Sequence, residues 1–341
     1  MVLRIITLFA LSAVGLAQAL PPTSVPTLES LRGIGAPSPS VLWASGTHGT
    51  YLRTTDAGLH WAPAQVPAAE KLDFRDVEAF SADEAYLLSA GPGDQSRIYK
   101  TTDAGKHWSL QFTNTEPKGF FDCMAFWDRD HGLAIGDPVD GHFELLATED
   151  GGVHWTMLPV ASRPAAVEGE GAFAASGTCI AAQGDQNAWF ATGGSAARVF
   201  RSTDRGKTWH AGETPIVHGQ PSTGIFSIAF RDASHGIIVG GDYLHPEQDG
   251  ANLAITDDGG ATWKAVPIHL PFFFSAVTYL NADGTRVVAV GSSRGVEFDL
   301  ARRTIITSEQ LSLNAVSRTA PGEAIAVGPK GQIIRWPGNR P

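Results

Sequence analysis

The residues of this chain best suited to chemistry are carboxylates, one tyrosine and a few arginines, dispersed over 341 positions. Asp122, Glu170 and Tyr243 are the set from which a hydrolytic centre could be built, with Arg32, Arg75 and Arg294 available to hold an anion. Glycoside cleavage needs two carboxyl groups roughly 5–9.5 Å apart across a cleft, or in exceptional cases a tyrosine nucleophile. Nothing spells H-E-x-x-H, C-x-x-C or a phosphate loop. Zinc-peptidase, dithiol and P-loop chemistry therefore have no support, and neither cofactor nor metal is expected. Lys plus Arg number 25 against 35 Asp plus Glu, a formal charge of −10 without a basic block. That balance disfavours a nucleic-acid partner, whose phosphates call for clustered cations.

A repeat must position these residues. The phrase [ST]-x-D-x-G-x-[TH]-W occurs five times, with Asp56, Asp103, Asp150, Asp204 and Asp258 each preceding Trp61, Trp108, Trp155, Trp209 and Trp263 by five residues. Spacings of 47, 47, 54 and 54 between the aspartates mark a repeat architecture. In such a turn Asp accepts backbone N–H groups, Gly supplies a positive φ, and Trp starts the next strand and buries its ring between sheets. These aspartates are accordingly structural. His60, His107 and His154 stand where the other two boxes have Thr, and the same position in different repeats lies too far apart for a metal trio.

Upstream of each box runs an apolar strand ending in glycine, at 41–46, 85–91, 132–136, 188–193, 236–240, 287–291 and 324–328. Another alternating strand precedes each, at 31–36, 74–80, 121–126, 178–182, 226–230, 275–280 and 313–317. Seven units of roughly 46 residues, each with four antiparallel strands, predict an all-β chain folded as one seven-bladed β-propeller. The seventh unit has no room for an outer strand, so residues 23–30 are expected to supply it and close the ring.

Secreted propellers with these turns resemble the bacterial neuraminidase repeat (BNR, Asp-box) superfamily of WD40/YVTN/BNR-like repeats, which includes sialidases, xyloglucanases and sortilin ectodomains. Length and box placement are most similar to its photosystem II stability/assembly factor-like family, over essentially the whole mature chain. The resemblance implies a non-catalytic binding or assembly module with a protein or peptide partner. The alternative it carries is a sialidase-like or xyloglucanase-like glycoside hydrolase. Against the photosynthetic members, the chain lacks a lipobox cysteine and an arginine-rich stripe; against sialidases, Arg32 is followed by Gly33-Ile34 rather than Ile-Pro. Some members are called oxidoreductases, but no nucleotide or flavin motif is visible.

The N-terminus reads as a secretory signal over 1–19: Arg4 is the only charge in the first 28 residues, an apolar run fills 5–16, and Ala17-Gln18-Ala19 fits a cleavage site. Residues 20–341 would then form the propeller, periplasmic or secreted. No later apolar run reaches membrane length, and a monomer is expected.

Ligands should meet the face where loops between units converge. Two of those loops are the longest, 159–176 with Glu168 and Glu170, and 242–252 with Tyr243 and His245; ordinary drift in loop length would give the same pattern. Aligned starts of the inner strands place Arg32, Arg75, Asp122, Thr178, Phe226, Ser275 and Asn314 around the channel mouth, near Asp137, Asp140 and His142. One position further along, Cys123 and Cys179 become equivalent residues of adjacent blades. In an oxidising compartment that favours a disulfide over two buried thiols.

Overall fold

The computed structural model describes residue 25 and residues 27–336. The expected signal segment 1–19 lies outside the described residues. Seven antiparallel sheets follow one another along the chain. Their innermost strands are Leu31–Gly35, Phe74–Ala79, Phe121–Phe126, Ile180–Gln183, Thr223–Phe230, Ala276–Tyr279 and Ala315–Ala320, within a few residues of the alternating stretches. Each is followed by a second, almost wholly buried strand, for example Leu42–Gly46 and Ala85–Ser89. Outer strands such as Ala62–Gln65 are exposed along their length, so burial peaks at the second strand and falls toward the rim.

The boxes form the turns between third and fourth strands, all in one way. Thr54 Oγ1 donates to Asp56 Oδ1 at 2.7 Å and accepts from Gly58 N, whose φ is +81°. The His60 backbone N–H and ring Nδ1 donate to the two carboxylate oxygens of Asp56 at 2.9 and 2.6 Å. Thr208 and Thr262 satisfy Asp204 and Asp258 with a hydroxyl at 2.6 Å instead. The alternation of His and Thr thus preserves one donor. At Asp103, donors from the His107 ring and backbone hold the carboxyl down at about 2. The tryptophans seal neighbouring blades: Trp108 packs edge-on to Trp43 and Tyr51 of the first blade, and Trp155 on Phe126 beside Tyr86 of the second.

Around the channel a hydrogen bond or the disulfide ties successive blades from the second onward, and the last to the first. Asp76 Oδ2 accepts Met124 N at 2.7 Å between blades two and three, and a disulfide links Cys123 to Cys179 between three and four. Thr178 and Ser227 share a 2.7 Å hydrogen bond between four and five, and Ser227 Oγ accepts Val277 N between five and six. Ser275 Oγ donates to Asn314 O, and Asn314 Nδ2 donates to Leu31 O, which joins the last blade to the first. Trp61, Leu31 and Leu52 pack there against Ile325, Val327 and Ile333.

Two details differ from the sequence expectation. Thr178 and Cys179 precede the fourth inner strand rather than opening it, because the chain arrives through Gly177 at φ +76°, where a Cβ would lie 2.2 Å from Asp76 Oδ1. The fifth sheet has six strands, since Glu170–Gly171 and Gly193–Gly194 add to its inner edge through the pair Gly193 and Gly224. The seventh sheet has three strands among the described residues. Thr23 and Ser24, in the expected closing strand, lie outside them; Glu29 O accepts Gly331 N at 2.8 Å.

Candidate functional site

The long insertion 159–176 ends as a plug across the channel mouth. Glu170 anchors its base: buried, it accepts from Thr192 Oγ1 at 2.6 Å, from Val167 N and from the guanidinium of Arg198. Ala172 N then donates to Asp137 Oδ1 at 2.9 Å, and Arg75 Nη1 donates to Ala174 O at 2.8 Å. Phe173 lies flat on Phe226, centroids 3.9 Å apart, and Ser176 Oγ donates to Ser275 O at 2.8 Å. One short segment drawn from between blades three and four therefore touches blades two, three, five and six.

Beside this plug remains a cavity of about 410 Å³. Its lining combines four aromatic rings, Phe173, Phe226, Tyr243 and Phe273, with the polar groups Arg32, Arg75, Ser275 and Asn314. Tyr243 meets both Phe173 and Phe226 edge-on at 6.4 and 6.1 Å. Arg75 is engaged twice, through Nε on Asp73 Oδ2 at 2.7 Å and through Nη1 on Ala174 O. Arg32 is not: its Nε is buried with no acceptor among the described residues. Burial, and secondarily the charge of Arg75, pull its pKa down to about 10, which still leaves it a cation at neutral pH.

The structure thus gathers Arg32, Arg75, Phe226, Ser275, Asn314 and Tyr243 at one cavity. Asp122 is buried instead. Burial and the neighbouring Asp137 push it well above the ordinary carboxylate range, and its Oδ2 lacks a hydrogen bond. Asp137, also desolvated, is pushed up to about 6. Thr178 is turned to Ser176 and Ser227. Asp140 forms the hairpin turn before His142 at φ +50°, Glu168 is exposed, and His245 donates to Asp242 at 2.8 Å. Arg294 lies over Phe272. None of these eight, nor Glu170, lines the cavity. Asp122 and Glu170, the two carboxyl groups a hydrolase would use, do not face a common ligand.

Sequence reasoning missed Phe173, Ala174, Ala175, Phe273, Ser292 and Leu313 as lining residues. The unusual length of the loop 159–176 was the available signal, and it does not single out Phe173. One G-x-S-x-G spelling, Gly291 to Gly295, is the hairpin between strands Arg286–Val290 and Gly295–Asp299, whereas a serine nucleophile of that type needs a strand-to-helix elbow. Among the described residues no group of three or more His, Cys, Asp or Glu is placed to hold a metal, and no helix is long and apolar enough to cross a membrane.

The BNR/Asp-box repeat family matches residues 200–211, the fourth box. No curated protein sequence matches the chain significantly. Among solved structures, YCF48 from Cyanidioschyzon merolae superposes with TM-score 0.62 at 18% identity, covering 94% of this chain and 99% of that one. YCF48 bound to a D1 peptide gives 0.60 at 14%, covering 93% and 96%. The structure of U3-55K gives 0.66 at 11%, covering 94% and 99%. Identities this low carry the fold alone, and the three scores do not separate these propellers from one another. By repeat and by architecture, then, the chain is a seven-bladed Asp-box β-propeller of the fold that YCF48 shares.

Proposed function

We propose that the protein is a non-catalytic peptide- or protein-binding propeller whose ligand seats in the mouth cavity, and that it works outside the cytoplasm after removal of residues 1–19. The observation that carries this reading is Arg32, a largely buried cation with an unsatisfied Nε beside four aromatic rings. An unsatisfied buried donor costs about 1–3 kcal/mol or more when charged, and a ligand acceptor offsets that cost. The peptide-bound YCF48 shows that a propeller of this fold takes a peptide. The hydrolase alternative loses its carboxylate pair, since Glu170 is committed to Arg198 and Asp122 is sequestered.

Panning a random peptide display library on the disulfide-bonded protein tests the binding site. Enriched peptides should lose most of their affinity for Arg32→Ala and Phe226→Ala proteins of unchanged melting behaviour. Enrichment indifferent to both substitutions removes the cavity from the reading. N-terminal sequencing of protein from the producing cell should begin at Leu20 in a periplasmic or culture fraction; intact Met1 in the cytosol would refute export.

A further inference from the structure

The cavity's chemistry narrows the ligand. We propose that it recognises the free C-terminal carboxylate of a peptide ending in an aromatic or branched aliphatic residue, an inference that rests on the binding function proposed above. Three observations converge. First, the two guanidinium groups at the polar wall are balanced by one carboxylate, Asp73, and that carboxylate is already bonded to Arg75 Nε at 2.7 Å. Asp122, close enough to feel the charge of Arg75, is driven by burial toward its neutral acid and contributes little negative charge here. Among the described residues the mouth therefore holds more guanidinium charge than ionised carboxylate; Arg32 Nε has no acceptor, and Asp73, whose Oδ1 is also unpartnered, acts on Arg32 only through its charge.

Second, the other polar groups of this wall have spent their donors, and Arg32 has not. Ser275 Oγ donates to Asn314 O at 2.7 Å and Asn314 Nδ2 donates to Leu31 O at 2.7 Å, so these donors are spent in closing the ring, while Arg32 Nε has no acceptor among the described residues. A planar guanidinium matched to a two-oxygen acceptor is the pairing that remains, and carboxylates meet it bidentately. Third, Phe173, Phe226, Tyr243 and Phe273 line the same cavity, with Phe226 packed on Phe173 and Phe273. A ligand whose anion reaches Arg32 must lay an apolar group against these rings, and a terminal residue carries both within one side chain's length. The cavity's 410 Å³ holds one or two residues rather than a through-running strand.

Two synthetic hexapeptide libraries, identical in sequence and ending in Phe or Leu, one as C-terminal acids and one as C-terminal amides, are the test. Affinity selection on the oxidised protein should retain the acids about tenfold or more over the amides, the effect of one charge-assisted hydrogen bond. Arg32→Gln, with an unchanged melting temperature, should level the two libraries. 3-Phenylpropionate alone should bind far more weakly than the best acids. Equal retention of acids and amides overturns the carboxylate inference while peptide binding stands. 3-Phenylpropionate as tight as the best peptide shifts the source to a small organic acid and overturns the peptide terminus. Retention of neither library sinks the binding reading with it.

Discussion

Replacing both Cys123 and Cys179 with alanine should lower stability by about 4–5 kcal/mol without altering the fold. The bond spans 56 residues of sequence. Released into an unfolded chain, a loop of that length regains about 4 kcal/mol of conformational freedom at 25 °C. Both sulfurs are fully buried beside Leu133, Phe143 and Phe190, so their loss leaves a small void worth about 1 kcal/mol more. With an unfolding entropy of about 2.1 cal/mol/K per residue, a propeller of this size loses about 0.65 kcal/mol per degree, and the melting temperature should fall by about 6–8 °C. Guanidinium titrations of the oxidised protein, the protein under reductant and the alanine pair provide the assay. The reduced form should have a lowered midpoint and the alanine pair one lower still, by about 1 kcal/mol, and protease should then cut first within 159–176, which the bond flanks. Superimposable curves for all three forms would refute the reasoning.

Three further outcomes follow from the geometry. Asp137 is raised to about 6 by burial, so the native state favours its protonated form: its contribution is present below the unfolded pKa near 4 and lost as pH climbs through 6. Asp137→Asn should consequently gain about 3 kcal/mol at pH 7.5 and almost nothing at pH 4, read from denaturant midpoints at both values. Glu170→Ala strips the partner from a largely buried Arg198 and should cost about 3–5 kcal/mol, much of it recovered in Glu170→Leu with Arg198→Met. Trp61→Ala opens the seam between the first and seventh blades; a loss of about 3–5 kcal/mol in a calorimetric scan is expected, and a loss below 1 would place the closure elsewhere.

The ring was legible because its signals are local. Strand alternation at 74–80 or 121–126 and the Asp-to-Trp turns each fit in under ten residues, and each recurs until chance is no longer an explanation. Equivalent placement of Cys123 and Cys179 followed from the same register. What stayed hidden depends on partners distant in sequence. Glu170 reads as a free carboxylate until Arg198, from another strand, closes on it. Asp122 occupies a mouth position by register, but the plug and Asp137 bury it, and no pattern in Ala172-Phe173-Ala174-Ala175 announces a segment that crosses a channel. Arg32 could be placed in the ring from sequence; that its Nε finds no acceptor could not.

A hoop of seven blades, each gripping only its neighbours, has one soft deformation: it ovalises. The segment 173–176 works against that mode as a spoke does in a wheel, because it is fixed to Arg75 on one side, Phe226 on another and Ser275 nearly opposite its origin. Squeezing the rim along any of these diameters must stretch a bond at the hub. The aperture is accordingly set before anything enters it, and a partner is sorted by whether it fits a rigid opening, with little room for the protein to reshape itself around an imperfect guest.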